Sequence, residues 1–248
     1  MKTIYVKAPP GYQLENPLTW GRKLRYGMSL GFLTVGVAIF TTVVYPLVSY
    51  QIMYAPRLQK TKILSPLTES PIQQVRADDS PIFVDEVVNT ALDYTDSANW
   101  FTGYGNPGNK IPQNSISTLS IPRLTIDRAV VQSDHTDLKQ SLIHYPGTAM
   151  PGDLGNMVIF GHSVLPQFFN PQNYLTIFST LHTLAIGETI EITSEGASYT
   201  YKILEMYETA PNDLSPLAQT YGGRYLTLIT CTPPGTYLRR LIIRAQII

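Results

Sequence analysis

A thiol, an imidazole and a guanidinium stand in the second half of this chain at positions that suit covalent acyl transfer: Cys231, His162 and Arg240. Cys231 is the only cysteine, and it ends the apolar run Tyr225-Leu-Thr-Leu-Ile-Thr-Cys231, directly before Thr-Pro-Pro-Gly235. A thiol attacks a carbonyl only as the thiolate, so it needs a group that takes its proton and a cation that steadies the developing oxyanion. His162 closes a second apolar run, Asn156-Met-Val-Ile-Phe-Gly-His162, and meets a polar, turn-prone rim as Cys231 does. Arg240 opens the run that follows the cysteine, within reach of a tight return, with Arg239 beside it as a decoy. The bland alternatives are a buried hydrophobic thiol, a loop histidine and a solvated arginine.

These residues need strands to carry them. With strict alternation Cys231 shares a face with Tyr225, Thr227 and Ile229, while Leu226, Leu228 and Thr230 face the other way. From residue 116 onward, short runs rich in Val, Ile, Thr and Tyr are punctuated by Pro, Gly, Asn and Asp. Strands are expected at 117–121, 128–132, 156–161, 189–193, 198–209, 225–231 and 240–247, which argues for an antiparallel barrel or sandwich. The apolar positions 174, 175, 177, 178 and 181 predict one short helix over 173–181.

The N-terminal portion has a different texture. Residues 28–54 contain no charged side chain, and about 20 apolar residues suffice to cross a hydrocarbon core of about 30 Å. A membrane span is expected there; the run is too long for a signal-peptide core and lacks a small-x-small cleavage site. Lys2, Lys7, Arg22, Lys23 and Arg25 precede the span, against Arg57, Lys60 and Lys62 after it, which favours an inside N-terminus. The expected organisation is a cytoplasmic tail over 1–27, a transmembrane helix over 28–54, an extracellular stalk over 55–114 and a β-domain over 115–248. The stalk is rich in Pro, Gln, Ser, Asp, Asn and Gly, with a helix-like patch at 83–92 and an aromatic cluster at 100–105. With no second span, the chain reads as a single-pass anchored ectodomain.

Formal charge is zero, from 18 basic and 18 acidic residues, with no like-charged block to follow a phosphate backbone; nucleic acid is excluded as an expected partner. One cysteine forbids an internal disulfide framework and a multi-thiolate zinc site.

Thr227-Leu-Ile-Thr-Cys231 fits the Thr-Leu-x-Thr-Cys signature of sortases, the membrane-anchored cysteine transpeptidases of bacterial surfaces. Arg240-Leu-Ile-Ile-Arg244 resembles that family's final strand, Pro151-Gly-Asp-Leu-Gly-Asn-Met-Val-Ile-Phe-Gly-His162 its Pro-Gly, Gly-Asn, Gly-His segment, and Ser120-Ile-Pro-Arg-Leu-Thr-Ile-Asp127 its first strand and turn. The resemblance covers about residues 116–247. It implies an eight-stranded sortase barrel with short helices, and catalytic roles for His162, Cys231 and Arg240. It further implies cleavage of a Leu-Pro-x-Thr-Gly-like sorting signal through a thioacyl enzyme, and transfer of a surface protein to an amine of cell-wall precursor or pilin. Thr230, next to the thiol, is a candidate substrate contact; His144 is left outside the catalytic set.

No cofactor is expected, and the acidic calcium-binding clusters of some sortases have no recognisable counterpart. The Asp-Pro-aromatic lid of pilin-type members is not found either: Asp96-Ser-Ala-Asn-Trp-Phe101 lacks the proline. Cys-Thr-Pro-Pro-Gly leans towards the class D or E kind. The competing readings are a membrane-tethered, non-catalytic binding module on the same barrel, an L,D-transpeptidase, whose Ser-His-Gly-Cys style of motif is missing, and a Ser hydrolase, which lacks its Gly-x-Ser-x-Gly elbow. A metal site from His135, His144 and His162 has no ligand spacing to support it.

Overall fold

Strands that are buried on both faces lose the alternation of polar and apolar residues, and two strands here have lost it. The computed structural model describes residues 18–58, 93–100 and 116–248. Its strands are β1 (Ser117–Ile121), β2 (Ile126–Gln132), β3 (Leu142–His144), β4 (Gly155–Phe160), β5 (Thr189–Ser194), β6 (Ala197–Thr209), β7 (Arg224–Thr232) and β8 (Arg239–Ile247). They close into a barrel in the order β1-β2-β3-β4-β7-β8-β6-β5. Two neighbour pairs, β2 with β3 and β4 with β7, run parallel; the remaining pairs are antiparallel.

All seven expected strands are present, each within two residues of its expected ends. The eighth, β3, has only three residues, too short to show a period. The expected helix over 173–181 is not formed: the segment is a series of turns followed by a 3-10 turn at Leu181–Thr183. Its amides bond three residues back, Thr176 N to Asn173 O at 2.9 Å and Ser179 N to Thr176 O at 3.1 Å, so it winds as successive turns and not as an i to i−4 ladder.

The barrel interior is filled by one face of each strand, including Leu119, Ile159, Ile192, Leu226, Leu228, Leu241 and Ile243. A second cluster lies on the outer face of β4, β7 and β8 and contains Val158, Phe160, Ile229, Ile242 and Cys231. That outer layer explains why every residue of β4 is buried and why β7 is buried from Leu226 onward.

N-terminal to the barrel, helix α1 (Leu18–Met53) is followed by the short helix α2 (Ala55–Leu58). Residues 21–53 are long and apolar enough to cross a membrane. The chain divides into two units, residues 1–46 and 47–248. Within the second unit Tyr50, Ala55 and Leu58 are buried in the interior cluster of the barrel, so the end of the apolar run and the first residues of the expected stalk are packed protein. Of that stalk, residues 93–100 also pack against the barrel through Trp100. The helix-like patch at 83–92 and the aromatics at 101–105 lie outside the described residues.

Gly161 links β4 to the following loop, and a Cβ there would stand 2.2 Å from Phe178 Cδ2 and 2.7 Å from Leu142 Cδ2. Phe178 and Leu142 are both buried and cannot swing aside. Gly161→Ala is therefore expected to cost about 1–3 kcal/mol, measured as a lowered Tm of the detergent-solubilised chain.

Candidate active site

Strand register sets two members of the site, and the loop that leaves β4 carries the third. In the β7–β8 pair Cys231 is the direct partner of Arg240, so the two side chains leave the same face, with Cβ atoms about 5 Å apart. In the parallel β4–β7 pair Phe160 is level with Ile229, and the Gly161 amide donates to the Ile229 carbonyl at 3.2 Å. Extending that register places His162 level with Cys231 and on the same outer face. Cys231 and Arg240 thus face one another across the ladder, with His162 in the loop that directly follows the neighbouring β4, while Arg239 pairs with Thr232 on the opposite face.

His162 is oriented by backbone. Its Nδ1 lies 2.7 Å from the Leu175 carbonyl oxygen; a carbonyl only accepts, so Nδ1 carries the proton and Nε2 presents its lone pair. Nε2 is buried with no hydrogen-bond partner. Burial holds the imidazole below its ordinary pKa, partly offset by the bond to Leu175 and by Asp93, so it rests neutral. Leu175 is free to do this because its segment is not helical.

Arg240 is 1% exposed, an unusual place for a guanidinium. Carbonyl oxygens hold it: Nη2 donates to Trp100 at 2.8 Å, and Nη1 to Tyr237 at 3.1 Å and Arg239 at 3.2 Å. Its Nε is buried with no partner. Two unpartnered buried nitrogens, one acceptor and one donor, therefore flank the thiol, and each such group costs free energy until something occupies it.

Cys231 is 2% exposed. Burial pushes its pKa up to about 11, against the pull of Arg240. The cause is visible in the cover. Trp100 is wholly buried in the cluster that contains Cys231, its indole Nε1 donates to the Tyr94 carbonyl at 2.7 Å, and Tyr94 stacks on Tyr237 with centroids 4.1 Å apart. Ser97 N donates to Thr136 O and Leu138 N to Thr95 O, at 2.9 and 2.8 Å, which fastens the segment to the barrel. Lacking the proline of the pilin-type lid, residues 93–100 nonetheless cover the thiol.

Thr230 faces the interior, where its hydroxyl donates to the Gly161 carbonyl at 2.8 Å. It ties β7 to the segment that carries His162 rather than lining the thiol. Ser163 Oγ donates to the Cys231 carbonyl at 2.9 Å and makes a second tie. His144 Nε2 donates to the Ala149 carbonyl, 3.1 Å away, and burial lowers its pKa to about 4. Among the described residues no three His, Cys, Asp or Glu side chains converge as metal ligands. Sequence reasoning missed Leu175, Trp100, Tyr94 and Ser163: the first three act through backbone oxygens, which leave no trace in residue type.

Residues 119–248 match the sortase domain, just over half of the chain. The chain belongs to the sortase family. Sortase SrtE1 of Streptomyces coelicolor is 27% identical over 165 residues, 60% of this chain and 45% of that protein. Sortase A of Streptococcus agalactiae is 26% identical over 133 residues, 53% of this chain and 52% of that one; this sortase thus spans about half the length of the curated relatives it matches. Among solved structures, the Clostridium perfringens Sortase D5 transpeptidase is 29% identical, covers 54% of this chain and 79% of its own, and superposes with a TM-score of 0.46.

Because desolvation raises the Cys231 pKa, uncovering the thiol must lower it. Trp100→Ala in the full chain is expected to speed alkylation of Cys231 by iodoacetamide at pH 8 and to move the alkylation midpoint to lower pH. An unchanged profile means that residues 93–100 do not control the thiol.

Proposed function

We propose that this chain is a membrane-anchored cysteine transpeptidase that cleaves a Leu-Pro-x-Thr-Gly-like sorting signal and transfers the surface protein to an amine, from a peptidoglycan precursor or a pilin. The observation that supports the proposal is the direct pairing of a nucleophile on β7 with a cationic donor on β8, beside the loop after β4 that carries a proton acceptor, with His162 Nε2 and Arg240 Nε both unpartnered.

The chemistry follows from those atoms. His162 Nε2 takes the thiol proton as Cys231 Sγ attacks the threonine carbonyl carbon, and Arg240 Nε donates to the oxygen as its negative charge grows. Collapse of the tetrahedral species breaks the C–N bond, and the imidazolium returns its proton to the departing glycine amine, leaving a thioester. The acceptor amine then attacks the thioester, gives its proton to His162, and expels Cys231 as the thiol. Beside the outer cluster, Tyr145, Thr148, Leu214, Leu217 and Gln219 line a cavity of about 310 Å³, of a size that takes apolar side chains of the signal. Residues 93–100 must move for a peptide to reach Cys231.

Localisation follows the apolar helix. A cytoplasmic tail, one span and an exported barrel put the enzyme where sorting signals are displayed. The competing reading, a tethered binding module, is favoured by one observation, the 2% exposure of Cys231.

Full-length chain incubated with a Leu-Pro-x-Thr-Gly-type peptide library and a small amine separates the two by intact mass. A thioacyl adduct and an amine-exchanged product are expected for the wild type and not for Cys231→Ala. Arg240→Ala should lower kcat by about 10²–10³ if Nε serves the oxyanion. A folded protein that gives neither adduct nor product with any peptide overturns the transpeptidase reading.

A further inference from the structure

The catalytic strand pair has a second face, and a residue from the apolar N-terminal run sits on it. Thr232 follows the nucleophile and pairs across the ladder with Arg239, which precedes the arginine of the site. Thr232 Oγ1 donates to the Tyr50 hydroxyl at 2.5 Å, and the Tyr50 hydroxyl donates to Glu208 Oε1. Thr232 Oγ1 also stands 3.2 Å from that same carboxylate oxygen. The other oxygen, Glu208 Oε2, pairs with Arg239 Nη1 at 3.4 Å, with the Glu208 side chain only 4% exposed. Tyr50 itself is 1% exposed, and its ring meets His182 edge-on with centroids 5.1 Å apart.

Composition assigns Tyr50 to lipid; the network places it in protein. A 36-residue helix is about 54 Å long, well beyond a hydrocarbon core of about 30 Å. The last turns of α1 need not be in the membrane. A buried carboxylate that shares its oxygens with a phenol, a threonine and an arginine belongs outside lipid, and the barrel unit indeed begins at residue 47.

We propose that Tyr50 is a positioning residue of the active site: its hydroxyl, through Thr232 and Glu208, fixes the ends of β7 and β8 so that Cys231 and Arg240 stay level. The proposal rests on the transpeptidase reading for its kinetic consequence, though not for its geometric one. Each partner of Tyr50 is one residue from, or ion-paired to the neighbour of, a member of the site. Loss of the hydroxyl leaves a buried carboxylate oxygen and Thr232 to find other partners, at the point where the two strands leave the barrel. Thr232 and Arg239 then shift, and their chain neighbours Cys231 and Arg240 shift with them. Tyr54 supplies the control, because it stacks on Tyr50 at 6.0 Å and meets His182 at 4.6 Å but stands outside the hydroxyl network.

The test uses the full chain in detergent with Tyr50→Phe, Tyr54→Phe, Arg240→Ala and the Tyr50→Phe/Arg240→Ala pair. Tyr50→Phe is expected to lower kcat on the sorting peptide by about fivefold or more with KM little changed, and to slow iodoacetamide alkylation of Cys231 at pH 8 as Arg240 moves off the thiol. Tyr54→Phe should change neither, and adding Tyr50→Phe to Arg240→Ala should change alkylation no further. Overturning results are wild-type behaviour of Tyr50→Phe, equal effects of the two tyrosine variants, or an undiminished effect of Tyr50→Phe on top of Arg240→Ala. If no peptide is turned over even by the wild type, the transpeptidase reading fails, and the alkylation series alone decides the role of Tyr50.

Discussion

The pairing of Cys231 with Arg240 across the β7–β8 ladder is the constraint on which the rest of the structure depends. Adjacent residues of a strand point to opposite faces, so a slip of one residue turns Arg240 to the other face and sets Arg239 or Leu241 opposite the thiol. The register is held because both faces of the pair are buried, Ile229 and Ile242 in the outer cluster and Leu228 and Leu241 in the interior one. A shift would drive one apolar set into the other's place. The parallel neighbour β4 is locked to the same level by the hydroxyls of Thr230 and Ser163, each bonded to a carbonyl on the facing strand end or loop.

Electrostatically the resting site contains one permanent charge, the Arg240 guanidinium, in a position almost without solvent. Three peptide carbonyls compensate it. The one from Trp100 comes from residues 93–100, outside the barrel's strands. Without it a buried cation would lose one of the acceptors that offset its desolvation penalty. The thiol responds in the opposite sense. While covered it is a weakly acidic group, its pKa pushed up to about 11 by burial, and contact with water favours the thiolate form.

Much of this was legible in the residues. Seven strands announced themselves by β-branched runs bounded by Gly, Pro, Asn and Asp, and the Thr-Leu-x-Thr-Cys and Gly-His segments located two members of the site. Alternation even split Leu226 and Leu228 from Ile229 and Cys231 as the two clusters do. What stayed hidden has physical reasons. Strand β3 is shorter than two periods of alternation. The 173–181 segment carries a helical apolar pattern but winds as three-back turns, and because Ser179 N bonds Thr176 O the Leu175 carbonyl is available to His162. The cover over the thiol acts through a main-chain oxygen of Trp100, and a motif read by side-chain identity passes over it.

The contacts of Tyr50 are illegible for a further reason: hydropathy weighs a residue by its transfer to a uniform medium. A tyrosine near the end of a charge-free run scores as membrane, and nothing local in the sequence pairs it with Glu208, 158 positions later. The structure shows two N-terminal segments on opposite faces of one strand pair, Trp100 against Arg240 on the outer side and Tyr50 against Thr232 on the inner. Neither segment belongs to the barrel's own eight strands. The outer face contributes a single main-chain carbonyl, whereas the inner face contributes a buried phenol bonded to both Thr232 and Glu208. Contacts that hold the register of β7 and β8 leave the thiol's own face clear only if they lie on the other face, which is where Tyr50 lies.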